Sequence, residues 1–151
     1  MLTAKGKYGL KALIYLAQIP EPGLALVSDV AAENNIPKKF LDAILLELRN
    51  AGFVQSRKGK GGGYRLARSP DEIKVGSVVR VLDGPLAPYP CASHTRYQPC
   101  EDCDVKTCQV RHTMLTVRNA IAEVLDSTTL AQMRDADEEV LPIEFKRRTR
   151  R

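Results

Sequence analysis

A mainly α-helical chain with one small β-hairpin is the fold the sequence predicts, and three observations predict it. Apolar residues recur at helical spacing in separate segments before Gly52. The pattern then shortens to two strand-like runs on either side of "GKGGG". Beyond Cys108 a further apolar series steps by four, three, four and three residues. With 151 residues the chain holds one domain, or one small domain plus an appended oligomerisation element, and two large domains are excluded.

Taken in order, Leu10, Leu13, Ile14 and Ala17 follow the i, i+3, i+4, i+7 spacing of an amphipathic helix from about Thr3 to about Gln18, which "PEPG" ends. Ser28 is placed to cap a short helix reaching Asn34, with Val30 and Ala31 inward and Asn34-Asn35 as its break. Pro37 suits the first position of a third helix, whose buried stripe is Leu41, Ile44, Leu45 and Leu48 and whose stop is Gly52. "FVQSRK" and "GYRLAR" then read as strands, joined by glycines that supply the positive φ of a hairpin turn. Helix, helix, hairpin is the order of a winged helix-turn-helix. "SPDEIKVGSVVRVLDG" adds a turn and a short helix with Val75, Val78, Val79 and Leu82 on one side, and "PLAPYP" leads on into a cysteine-rich segment.

After that segment, Val110, Met114, Val117, Ile121 and Val124 form the heptad-like seam of a long helix. About twenty helical residues projecting from a small head predict self-association. "DADEEV" and "KRRTRR" carry acidic and basic blocks without apolar period and read as a disordered charged tail.

No run approaches the roughly 18 uncharged apolar residues of a membrane span. The first residues, with Lys5, Lys7 and Lys11 among apolar ones, lack the layout of a signal peptide, so a cytoplasmic protein is the expectation. The formal net charge of +5 and pI of about 9.1 point to a polyanionic partner.

The charge sits where a winged helix needs it. In such a fold one helix enters the major groove while the hairpin reaches a neighbouring groove or phosphate. The helix after Pro37 presents Lys38, Lys39, Phe40, Asp42 and Ala43 near its N-terminal end, with the lysines suited to phosphate. Arg57, Lys58, Lys60 and Arg65 surround the glycines of the wing, and Tyr64 packs beneath. A charge run alone would describe any solvated hairpin; one that directly follows a helix-turn-helix pattern describes a DNA contact, so double-stranded DNA is the expected partner.

All four cysteines lie in "YPCASHTRYQPCEDCDVKTCQVRH", spaced Cys91-x8-Cys100-x2-Cys103-x4-Cys108. In a reducing compartment clustered cysteines bind metal or do redox chemistry more often than they form structural disulfides. Thiolates suit iron-sulfur clusters, Zn and Cu(I), and the x2 pair lets two sulfurs converge on one centre. Three chemistries therefore stay open: a cluster, a Zn ion, or metal-free thiols that pair on oxidation. His94 reads as a surface residue, and His112, one helical turn after Cys108, is held as a reserve ligand.

"YGLKALIYLA", "IPKKFLDAILLELRNAGFVQSRKGKGGGYRLAR" and a cysteine loop followed by a long helix together resemble the Rrf-two family of bacterial transcription regulators, with its IscR, NsrR and CymR types, over roughly residues 1 to 133. The wing "KGKGGGYRLA" is the most specific part. The resemblance implies a homodimer with a winged helix in each subunit, crossed long C-terminal helices and a palindromic operator. It also implies DNA contacts from Lys39, Phe40 and Asp42 in the recognition helix and from Lys58, Gly59 and Lys60 in the wing. Relatives with an iron-sulfur cluster use three cysteines at this place, about six residues apart, and a fourth ligand that differs between members. This chain departs from that pattern with four cysteines and an x2 pair, and it has Lys7 in the region from which some relatives supply a carboxylate. An iron-sulfur cluster held by Cys91, Cys100, Cys103 and Cys108 within one subunit is the arrangement expected.

The resulting expectation is a winged helix-turn-helix domain at residues 1–83, a cysteine-rich sensory loop at 84–108, a dimerisation helix region at 109–133 and a charged tail at 134–151. Its function would be that of a DNA-binding repressor controlled from the cysteine loop. Two rivals stand beside it: a Zn-stapled regulator without a cluster, and a thiol oxidoreductase built on Cys100 and Cys103. The second would place that pair at a helix N-terminus beside a parallel sheet, and the chain predicts neither.

Overall fold

The computed structural model describes residues 2–136. Helix α1, Ala4–Ala17, buries Leu10, Ala12, Leu13 and Leu16. Helix α2, Val27–Asn34, and helix α3, Lys38–Asn50, form the helix-turn-helix. The turn is made by Asn35 in the left-handed region at φ 53°, which an asparagine tolerates and which satisfies the last carbonyls of α2. Lys11 on α1 adds a cation there, with Nζ donating to Asn34 O at 2.7 Å.

Two expected details differ. Ser28 lies inside α2 rather than capping it; Leu26 O accepts the N–H groups of Asp29 and Val30, so the helix starts two residues earlier without a side-chain cap. Pro37 is the residue before α3, where its carbonyl accepts from Phe40 and Leu41 and its missing N–H is not needed.

On α3, Leu41, Ile44, Leu45 and Leu48 are each at most 1% exposed, as the spacing predicts. Burial of each such side chain stabilises by about 1.5–3 kcal/mol. Strands β1, Val54–Arg57, and β2, Gly63–Leu66, pair antiparallel with Gln55 opposite Arg65. Ala25, just before α2, extends this sheet by a bridge to Tyr64, with N–H···O distances of 2.8 and 2.9 Å in the two directions. Gly63 permits that bridge. It sits at φ +150°, and a Cβ there would meet the Ala25 carbonyl oxygen at 2.5 Å.

Helix α4, Val75–Asp83, buries Val75, Val78, Val79 and Leu82 against α1 and α3. The long helix α5 is Gln109–Ser127. Region 109–133, read as one helical region, divides here: Thr129 caps a separate short helix α6, Leu130–Arg134, through a capping box with Gln132. Helix α6 returns to the head. Leu130 is fully buried in the core that holds Leu13 and Leu45, and its N–H donates to Ile73 O at 2.9 Å. Residues 137–151, most of the expected tail, lie outside the described residues.

One ion pair ties the far end of α5 to the head. The Arg80 guanidinium on α4 donates to both carboxylate oxygens of Asp126, at 2.6 and 2.8 Å. Gly76 makes room for it, since a Cβ at that position would collide with the Asp126 carboxylate and stand 3.0 Å from Arg80 Nη1. The hydrogen bonds from Arg80 hold the Asp126 carboxyl below its usual range. That stabilisation is complete above the unfolded carboxylate value of about 3.9 and is lost as pH falls through the lower folded value. Because the two side chains are 28% and 45% exposed, solvent limits it to about 1 kcal/mol or less. Asp126→Asn should therefore lower the free energy of urea unfolding by up to about 1 kcal/mol at pH 7, a difference from wild type that shrinks below pH 4. A difference independent of pH would show that the charge is not what the pair contributes.

Candidate functional site

Two regions hold the residues singled out by sequence. The first is the exposed face of α3 with the hairpin. Lys38, Lys39, Phe40 and Asp42 are all exposed, as are Arg57, Lys58, Gly59, Lys60 and Arg65. Among the described residues no carboxylate lies within 4.0 Å of Lys39, Arg57, Lys58, Lys60 or Arg65, so none of these cations is ion-paired there. Lys38 is different, since it pairs with Asp42 one turn on, at 3.1 Å. Arg65 lies across the hairpin, its guanidinium donating to Gln55 Oε1 at 3.2 and 3.4 Å.

Phe40 is 46% exposed and is not a core residue. Its ring stands edge-on to Tyr8 of α1, centroids 5.9 Å apart, a contact that fixes its direction. Sequence reasoning missed Tyr8, which a second helix contributes, and Leu46, which is 45% exposed. A helical wheel finds Leu46, because it shares the outer stripe of α3 with Lys39 and Ala43, opposite the buried leucines.

The second region is the cysteine loop. Cys91 is buried in a single 3-10 turn, Pro90–Ala92, that packs on α5. Cys100, Cys103 and Cys108 are half-buried. All four line one cavity of about 430 Å³ with Tyr89, Asp102 and Arg111. The sulfurs of Cys100 and Cys103 lie within 4.8 Å of each other. Burial, then contact with Cys100, pushes the Cys91 thiol up. Hydrogen bonding with Cys100 and Cys108 pushes Cys103 up to about 12. Cys108 goes the other way, because its sulfur accepts the Arg111 N–H at 3.4 Å as the N-cap of α5. Helix N-termini favour the thiolate for this reason.

Asp102 was not foreseen. Among the described residues, Cys100 Sγ, an Asp102 carboxylate oxygen and Cys103 Sγ form the group of potential ligand atoms lying within 4.8 Å of one another. His94 and His112 are both exposed, and neither lines the cavity.

A helix-turn-helix followed by a basic hairpin, in a chain that also holds a cysteine-lined cavity at the start of α5, defines a DNA-binding transcription regulator of the winged-helix class. Comparison with known proteins agrees. Residues 2–136 match the model of the family Rrf2, "Iron-dependent Transcriptional regulator", and the chain belongs to that family. The HTH-type transcriptional regulator CymR of Bacillus subtilis is 36% identical over 132 residues, 87% of this chain and 88% of its own length. A Rhodobacter capsulatus protein named rrf2-like is 42% identical over 137 residues, covering 88% and 91%. Among solved structures, B. subtilis CymR, described as the global cysteine regulator, aligns with a TM-score of 0.74 at 36% identity over 91% of this chain and 98% of that one. IscR of T. potens aligns with a TM-score of 0.71 at 35% identity over 91% and 89%. These are transcription regulators, not enzymes, which removes the thiol oxidoreductase reading. No helix of the described residues is long and apolar enough to cross a membrane.

Proposed function

We propose that the protein acts in the cytoplasm as a homodimeric repressor on a palindromic operator, and that Cys91, Cys100, Cys103 and Cys108 hold an iron-sulfur cluster that sets its affinity for DNA. One observation carries the reading. Thiols from both ends of the loop meet at the N-terminus of α5, the helix whose other end is built into the DNA-binding head.

In each subunit α3 enters the major groove, where Lys39, Phe40 and Asp42 face base edges and Lys38 faces phosphate. Arg57, Lys58, Gly59, Lys60 and Arg65 bring the wing onto the backbone. The dimer is supported by the outer seam of α5, where Val110, Val117 and Val124 are 59%, 39% and 62% exposed. Beside this strip an apolar groove of about 640 Å³, lined by Leu10, Val79, Ile121 and Met133 among others, offers room for the partner's helix. Apolar surface of this extent is costly to leave in water.

The donor set suits a cluster. Four soft thiols line the cavity. Cys91 and Cys108 stand outside the 4.8 Å group of Cys100, Asp102 and Cys103. Such a cluster, when bound, supplies an anionic centre that responds to oxidants and to iron supply. The chain's own residues carry a change at the loop to the DNA. Cys108 caps α5, Cys91 packs on its first turns, and Asp126 joins its last turn to α4. Reordering the loop shifts α5 against the head and alters the spacing of the two recognition helices, which half-sites about one helical turn apart require.

A second reading, metal-free thiols that switch by disulfide formation, is favoured by the gathering of four free thiols around one cavity. Anaerobic purification with absorbance and metal analysis decides between them. Visible bands with iron and sulfide are expected; Zn alone would make the site a staple, and protein free of metal would leave the thiol switch.

A further inference from the structure

Arg111 is the residue that closes the cysteine loop, and among the described residues no carboxylate pairs with it. Its Nε donates to the Cys91 carbonyl at 2.9 Å, across twenty positions of sequence. Its backbone N–H donates to Cys108 Sγ. One residue thus contacts both the first and the last cysteine, and its side chain lines the cavity the four thiols share. The side chain is half-buried, yet among the described residues no carboxylate lies within 4.0 Å of it. A half-buried guanidinium without a carboxylate is held at a cost unless another anion offsets it. The anionic groups that share the cavity with it are Asp102, which is exposed and more than 4.0 Å away, and the cysteine set, whose ligating form is the thiolate.

We infer that Arg111 is a positioning residue for the cysteine site with two separable roles: its guanidinium pins the Cys91 turn to the start of α5, and its charge offsets that of the thiolate-bound group. The second role rests on the reading that the cysteines bind a metal centre. The first does not, because the bond to Cys91 O exists without any metal. Arg111 therefore lets the empty loop keep the Cys91 turn on α5, so that a metal meets a site already partly assembled.

Co2+ is a suitable probe, since thiolate ligation gives it charge-transfer absorption, and the full chain is titrated with it anaerobically. Arg111→Gln should weaken Co2+ binding by about 10–100-fold, the range typical when a group supporting metal ligands is removed, while the band positions and the thermal unfolding midpoint stay those of wild type. Arg111→Lys, which keeps the charge but not the planar donor fork, should retain more affinity than the glutamine variant. Wild-type affinity in Arg111→Gln, or equal losses in both variants, would overturn the charge role. The pinning role is read on the metal-free chain by mass-spectrometric alkylation. Buried Cys91 should react severalfold faster in both variants, and an unchanged rate overturns that role. If wild-type protein itself shows no thiolate bands, the metal reading and the charge role fail together, and the alkylation result still decides the pinning.

Discussion

Replacing Val117 and Val124 together with aspartate should turn the protein into monomers and abolish its tight binding to a two-half-site operator. These positions are 39% and 62% exposed on the outer seam of α5, so the monomer loses no core contact and should keep its fold. In the dimer the carboxylates would be enclosed by apolar side chains, and enclosing an unpaired charge costs several kcal/mol. With each 1.4 kcal/mol worth tenfold in affinity, dimerisation should weaken by at least about a hundredfold. Sedimentation velocity at micromolar concentration reads the result directly, and a persistent dimer would remove α5 from the interface. Ile121, a natural choice from the heptad alone, is the poorer probe. It packs against the head's core, and charging it would confuse folding with assembly.

Lys58→Ala with Lys60→Ala should produce the other large effect. Both lysines are exposed at the wing tip, and neither has a carboxylate partner within 4.0 Å among the described residues. If each meets one phosphate, a dimer loses four contacts, and the slope of log affinity against log salt should become shallower by about 3.6. Near 0.15 M salt that corresponds to a loss of roughly two to three orders of magnitude, spread almost equally over operator and unrelated DNA. An unchanged slope would take the wing off the phosphates. Lys38 should matter less than Lys58 or Lys60, because its ammonium is already shared with Asp42.

The parts of the fold that sequence made legible are those governed by local rules. The period of Leu41, Ile44, Leu45 and Leu48 predicts the buried face of α3, and the glycines between Arg57 and Tyr64 predict the hairpin. The stop at Gly84 and the turn at Asn35 follow from the conformations those residues tolerate. The start of helix α6 is a local signal too, since Thr129 and Gln132 form a capping box. The start of α2 differs from the sequence expectation because Ser28 is a good cap by type, while the chain enters the helix from its bridge at Ala25 two residues too early for it.

The candidate site divides in the same way. Composition and spacing alone marked the four cysteines and the basic wing, since like residues gathered in a short window carry their chemistry wherever the chain goes. Sequence by itself thus determined a winged helix-turn-helix, a thiol-rich loop and an apolar seam on a long helix. Tertiary structure alone decided which seam residues stay in water, that Phe40 leans on Tyr8, that α6 and the Arg80–Asp126 pair anchor α5 to the head, and that Arg111 joins Cys91 to Cys108. The physical reason is range. Helix period, turns and caps are settled by interactions over a few residues, whereas these contacts join positions from 20 to 46 residues and more apart, and they exist only once the core has brought the helices together.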